Sequence, residues 1–265
     1  MIKIFFLLIF KFPKFLMYIL YDYFKYCYLR LNKIFYGWGI HLYVGRFGSG
    51  KTVSAVRYVY NQCVKYPQLS VLTNIKLTNF PKYTQILSLN TAEDILNAPE
   101  NTIVLIDEIG TIFNSRDFSS SGGKRAVPKE LFQHLCQCRK RHMQIIGTVQ
   151  KYNLLDKQIR DISATVTVCK GSMKHPFTRI IKMYRYDVDE YDMYMSNRMY
   201  KPRLLWASAY IQTNQLRQLY DTSELVTNML NKEYLSDKEI LENRGEIHVN
   251  NTPVTKKERR KINRL

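Results

Sequence analysis

The chain has 265 residues, with 40 Lys and Arg against 22 Asp and Glu, a formal net charge of +18. Hydrophobic residues make up 46% of it, enough for a packed core, which excludes a chain disordered throughout. Five cysteines, an odd number with no secretory cleavage pattern, exclude a disulfide scaffold, and the charge calls for a polyanionic partner: nucleic acid or an anionic membrane face.

Residues 1–36 are almost entirely Ile, Leu, Phe, Tyr and Lys. A membrane span needs about 20 consecutive apolar residues, and Lys3, Lys11, Lys14, Asp22, Lys25 and Lys33 interrupt the run. At about 100° per residue, the five from Lys11 to Lys33 fall on one face. The segment therefore reads as a basic amphipathic helix starting near Pro13, with residues 1–10 reaching deeper as an anchor. So many Phe and Tyr exceed what one packing face needs, and the chemistry fits a membrane interface.

Residues 37–195 alternate short apolar runs with amphipathic stretches. Strands are expected at Gly39–Val44, Ser70–Leu77, Thr102–Ile106, Gln144–Val149, Ala164–Cys169 and Phe177–Tyr186, the last antiparallel. Helices are expected at Thr52–Lys65, with Val53, Val56, Val59, Tyr60 and Val64 on one side, and at Pro128–His142. The fold class is α/β: a mainly parallel sheet covered by helices on both faces. Asn114–Val127 is a polar Ser/Gly-rich loop. Residues 196–230 extend the core, and residues 231–265 form a polar basic tail that is expected to be disordered.

Gly45-Arg46-Phe47-Gly48-Ser49-Gly50-Lys51-Thr52 matches G-x-x-x-x-G-K-[ST] between a strand and a helix, where such a loop must sit. Its backbone N–H groups and the helix N-terminus, with Val53 just inside it, wrap a phosphate. Lys51 places a charge on the β and γ phosphates of ATP, and the Thr52 hydroxyl ligates Mg²⁺. Thr102–Ile106 delivers Asp107 and Glu108 to the end of an apolar strand. Asp107 holds Mg²⁺ through water, and Glu108 polarises the attacking water. A base aimed at water favours hydrolysis over transfer to a small substrate.

Gln150, ending the strand Gln144–Val149, is the candidate γ-phosphate sensor; capping the strand is its plainer role. In Arg139-Lys140-Arg141-His142 and in Asp156-Lys157-Gln158-Ile159-Arg160, Arg141 and Arg160 are candidates to reach a neighbour's γ-phosphate, against simple dipole pairing at a helix end. Cys136 and Cys138 point apart on a helix, and His134, Cys138 and His142 lack a fourth ligand, so no zinc site is read there. The Tyr-rich segment Tyr184–Tyr200 can stack bases or sit half-buried in the sheet.

Together these residues resemble the Zot family, the zonular occludens toxin-like proteins that include protein I of filamentous phages, in the FtsK/HerA branch of P-loop ATPases. The resemblance runs over about residues 38–170. It rests on the P-loop, Val71-Leu72-Thr73-Asn74-Ile75, Asp107-Glu108, the basic run leading to Thr148-Val149-Gln150, and Asp156–Arg160. Leu219-Tyr220-Asp221-Thr222 resembles a tyrosine-aspartate-threonine segment found after the core in these ATPases. The resemblance implies an ASCE (RecA-like) fold and an ATPase driving extrusion of single-stranded phage DNA. It would act as a ring on the cytoplasmic face of the host inner membrane, with phage coat or assembly proteins. Arg116, Lys124 and Arg125 are candidates to grip the DNA.

Relatives usually carry a transmembrane helix after the ATPase domain. None is read after residue 195, which suits a host with one membrane or a virus that fills a capsid. A capsid-packaging ATPase and a non-catalytic nucleotide-dependent membrane scaffold are the alternatives.

Overall fold

A computed structural model describes residues 2–90, 92–111, 129–173 and 177–221. The chain opens with helix α1, Ile2–Leu31. It starts ahead of Pro13 rather than near it and runs through the proline, which removes one backbone hydrogen bond without ending the helix. Lys33, expected on its polar face, lies past its end with φ 53°. The amphipathic reading needs correction as well. Phe12, Leu16, Leu20 and Phe24, spaced four apart, are 47–67% exposed, and Met17, Tyr18, Tyr21 and Tyr28 are exposed around the rest of the cylinder. Near its end the helix is tied to the core by Tyr36, whose hydroxyl donates to that of Tyr26 at 3.0 Å. Among the described residues no helix is long and apolar enough to cross a membrane.

The core is one eight-stranded sheet. Its strands are β1 (Gly39–Val44), β2 (Ser70–Thr73), β4 (Gln85–Ser88), β5 (Thr102–Ile106), β6 (Gln144–Val149), β7 (Ser163–Gly171), β8 (Ile180–Asp187) and β9 (Leu204–Ile211). They lie in the order β4-β2-β5-β6-β1-β7-β8-β9. Pairings from β4 through β7 are parallel; β8 and β9 add an antiparallel edge. Every residue of β2, β5 and β6 is buried, as strands covered on both faces require. Ile40, Leu42, Val104, Ile106, Ile145 and Val166 form the middle of the core. The sequence reading had no β4 or β9; both are mostly exposed edge strands with little apolar run to see.

Helix α2, Lys51–Lys65, buries Val53, Val56, Val59 and Cys63, whereas Val64, assigned to that face, is half exposed. The expected helix Pro128–His142 is shorter: α4 spans Lys129–Cys136, following the short α3, Ala92–Leu96. Past Cys136 the chain coils in tight turns, Gln137 N–H donating to His134 O and Lys140 N–H to Gln137 O. Here Arg141 turns to the carbonyls of Leu96 and Ala98.

The expected strand Ser70–Leu77 breaks at Asn74. Residues 70–73 stay in the main sheet, while β3, Lys76–Leu77, turns aside to pair antiparallel with β10, Tyr220–Asp221. The cause is the Asn74 side chain, which takes over the pairing its backbone abandons. Its Oδ1 accepts from Asp107 N–H at 2.8 Å, and its Nδ2 donates to Asp107 O at 2.9 Å. Of the tyrosine-rich stretch, Tyr184 and Tyr186 sit half-buried in β8 as expected, whereas Tyr191 and Tyr194 lie on helix α6, Val188–Ser196, with Tyr191 packed edge-on against Tyr152. Two short helices complete the ordered core, α5 (Lys157–Asp161) and α7 (Asn214–Arg217).

Candidate nucleotide-binding site

Parallel strands present their C-terminal ends on one edge of the sheet, where loops gather. β1 ends there and passes into the P-loop. Gly50 caps α2 with φ 86°, a left-handed conformation that glycine adopts freely. An added Cβ there would lie 2.9 Å from Ile181 Cγ1 and closer still to its Cδ1. β6 lies between β1 and β5. The acids at the end of β5 therefore face the P-loop across one intervening strand, whose own end carries Thr148 and Gln150.

The predicted residues converge. Thr52 Oγ1 donates to Asp107 Oδ1 at 2.8 Å. Lys51, only 6% exposed, places its Nζ 3.6 Å from Glu108 Oε1, and Gln150 Nε2 donates to the same oxygen at 3.2 Å. Glu108 sits at φ 52°, uncommon for a residue with a side chain and a form of strain that surrounding bonds must hold. Thr148 supplies one such bond: its Oγ1 accepts from Glu108 N–H at 2.9 Å and donates to Asp107 Oδ1 at 2.6 Å.

Thr148 and Asn74 lie in the segments that carry the family resemblance, but the sequence does not mark them as site residues. A buried hydroxyl inside an apolar strand, and an Asn where a strand should continue, were the available signals.

Lys51, Thr52, Asp107 and Glu108 line a cavity of about 540 Å³, open to solvent, together with Phe47, Gly48, Gly50 and Val53. Its far wall is formed by Thr178, within the expected strand Phe177–Tyr186, and by Gln212, Arg217, Tyr220 and Asp221 from the C-terminal extension. Burial raises the Tyr220 phenol above its ordinary value, the Asp107 carboxylate raises it further, and Arg217 opposes both. Burial also pushes the Cys169 thiol, next to the P-loop backbone, up to about 12, with Ser54 and Lys51 opposing. The thiol is thus neutral at physiological pH and is no nucleophile.

A triphosphate and a divalent cation fit these residues. Ser49 Oγ, inside the loop, is buried without a hydrogen-bond partner, and the first N–H groups of α2 are free of helical bonds by construction. Thr52 and Asp107 offer hard oxygen ligands on one side of the same cavity.

Two arginines are not brought to this cavity. Arg141 lies before β6, at the opposite edge of the sheet, with its guanidinium bonded to Leu96 O, Ala98 O and the His134 ring. Arg160 is paired with Asp192 at 2.7 Å and lies over the Tyr152 ring. Arg46 is exposed on the P-loop. Arg116, Lys124 and Arg125, and the tail 231–265, lie outside the described residues.

A P-loop heading a mainly parallel sheet, with an acid pair one strand away, defines the class: the chain has a P-loop nucleotide-binding fold. The family model for zonular occludens toxin (Zot) matches residues 39–197, and the chain belongs to that family. The Gene 1 protein of Salmonella phage IKe is 28% identical over 150 residues, 49% of this chain and 40% of that protein. The Gene 1 protein of Enterobacteria phage I2-2 is 27% identical over the same shares. The chain thus spans about two fifths of the length of these relatives. Among solved structures, the N-terminal domain of zonular occludens toxin from Neisseria meningitidis aligns with 70% of this chain and 100% of its own, at TM-score 0.49 and 22% identity.

Proposed function

We propose that the protein is a membrane-attached ATPase that hydrolyses ATP to drive phage DNA through virion assembly and extrusion. The observation that carries this reading is the meeting of Lys51, Thr52, Asp107 and Glu108 in one cavity, with Gln150 bonded to Glu108 behind it. Similarity to phage Gene 1 proteins supports the setting.

The P-loop N–H groups and Lys51 bind the phosphates. Thr52 Oγ1 and Asp107 Oδ1 are the oxygens that would hold Mg²⁺, which when bound supplies charge neutralisation across the β and γ phosphates. Glu108 accepts a proton from the attacking water and returns it to the product phosphate. Gln150, already bonded to Glu108 at 3.2 Å, orients that water. Lys51 lies 3.6 Å from Glu108, so a γ-phosphate held by Lys51 would compete for this pairing and leave Glu108 to water.

The net charge of +18 supports a DNA partner, with single-stranded phage DNA as the cargo. The exposed aromatic and aliphatic surface of α1, interspersed with Lys11, Lys14 and Lys25, supports attachment to the cytoplasmic face of the host membrane. Subunits would form a ring in which an arginine of one serves the next, and coat or assembly proteins would dock on it.

The test is ATP turnover by the full chain in detergent, with and without single-stranded DNA. Mg²⁺-dependent turnover stimulated by DNA is expected. Glu108→Gln should retain ATP binding while losing at least about 100-fold in rate. Turnover that survives Lys51→Ala would overturn the assignment.

A further inference from the structure

The far wall of the cavity contains a cation that the hydrolytic machinery above does not use. Arg217 closes the short helix α7 and is half-buried. Its Nη2 donates to Thr178 O at 3.1 Å and to Gln212 Oε1 at 2.8 Å. Both acceptors are neutral and nearly buried, Thr178 4% and Gln212 8% exposed. Among the described residues Arg217 makes no ion pair with an acid, whereas Arg160 does. A half-buried guanidinium given only neutral acceptors keeps its charge available to an anion in the cavity it lines.

The anchor points of Arg217 fix where it sits. Thr178 packs on the P-loop side of the site: a Cβ on Gly171 would strike its methyl, and that same Cβ would lie 3.6 Å from Gly48 O. Gln212 is fastened in turn to Arg179, its N–H donating to Arg179 O at 2.6 Å. Beyond Arg217 the chain continues along the cavity, which Tyr220 and Asp221 also line. Thr78 N–H donates to Leu219 O at 2.8 Å, and Tyr220 pairs with Leu77. Residues 213–221 therefore form a strap, pinned at the P-loop end by Thr178 and at the acid end by β3.

From this arrangement we infer that Arg217 binds the phosphates of the nucleotide in the same subunit, as a second cation facing Lys51 across the cavity. The strap that carries it is then part of the nucleotide site, although it lies outside residues 39–197. One Nη is held by protein acceptors, which orients the fork and leaves its other donors for phosphate oxygens. This inference rests on the reading of the cavity as an ATP site.

The experiment measures equilibrium binding of two probes, MgATP and inorganic tripolyphosphate, to the full chain and to Arg217→Ala, Arg217→Lys and Lys51→Ala. Arg217→Ala should weaken both probes by about tenfold or more, as loss of one charge-assisted contact implies. Arg217→Lys should recover most of that loss. If Arg217→Ala changes both by less than twofold, the inference is wrong. Weakening of MgATP alone also overturns it, because Arg217 would then line the base and ribose rather than the phosphates. Should the alanine chain fail to fold, Arg217→Gln keeps a donor for Thr178 without the charge and is measured in its place. Lys51→Ala separates the two readings. If the wild type binds no ATP, or Lys51→Ala binds it unchanged, the ATP site itself falls. If Lys51→Ala loses ATP and Arg217→Ala does not, only the role of Arg217 falls.

Discussion

Replacing Thr148 by Val keeps the shape of the side chain and removes one oxygen. That oxygen is fully buried and serves two partners, the Asp107 carboxylate at 2.6 Å and the Glu108 amide at 2.9 Å. The bond to the carboxylate is worth about 1.5–3 kcal/mol, and an amide left unsatisfied in the core costs about 1–3 kcal/mol more. Because the two side chains are nearly equal in volume, no cavity opens, and the expected loss of stability is about 3–5 kcal/mol in total. Thr148→Ser retains both bonds and gives up a buried methyl, so it should lose only about 1 kcal/mol. Urea unfolding of the full chain measures the difference. With a slope of about 2–3 kcal/mol per molar, Val should lower the midpoint by about 1–2 M and Ser by less than half of that. The valine chain should also bind ATP more weakly, since Glu108 depends on this hydroxyl to hold φ 52°. A midpoint shift for Val no larger than that for Ser would refute the claim that the hydroxyl, rather than packing, organises the acid pair.

Gly50→Ala places a methyl group against Ile181, which is fully buried and has nowhere to swing, in a conformation that costs an L-residue about 1–2 kcal/mol. The N-terminus of α2 must shift, and ATP affinity in a direct binding assay should fall by at least about 30-fold. Arg141→Met removes donors from the carbonyls of Leu96 and Ala98. It should cost about 2–3 kcal/mol in unfolding experiments while leaving turnover per folded subunit intact. Loss of turnover at full stability would instead show that Arg141 serves a neighbour. His41, half-buried, accepts from or donates to Thr165 at 2.8 Å, and desolvation lowers its pKa to about 4 from 6.5. The unfolded chain then binds a proton that the folded chain refuses between these values. Stability should therefore be level above pH 6.5 and fall as pH drops towards 4, by no more than about 3 kcal/mol, and His41→Gln should flatten that part of the profile.

What could be read from the residues was whatever a strand or a phosphate imposes on its neighbours. β1, β5 and β6 begin and end where their apolar runs do, because strands buried on both faces tolerate little else. Lys51, Thr52, Asp107 and Glu108 were legible because a P-loop needs a strand before it and a helix after it. Side chains that replace backbone were not legible. Asn74 substitutes for a strand bond, and that substitution decides that β2 ends and β3 leaves the sheet. Nor was most of the far wall: Thr178 falls in the expected strand Phe177–Tyr186, but Gln212 and Arg217 follow β9, an edge strand too exposed to announce itself. α1 misled in the opposite way. Its lysines align on one face, yet apolar side chains cover the others and part of that one, so periodicity in the charges said little about the rest.

The departure of β3 from the main sheet couples two regions in series. Asn74 is clamped to the Asp107 backbone, and two residues later Lys76 is already paired with Asp221. A linker that short spans about 7 Å when extended and has no slack. The Asn74–Asp107 clamp and the Lys76–Asp221 pairing are therefore held at a nearly fixed separation, so that the acid pair and the strand carrying Tyr220 move as one piece.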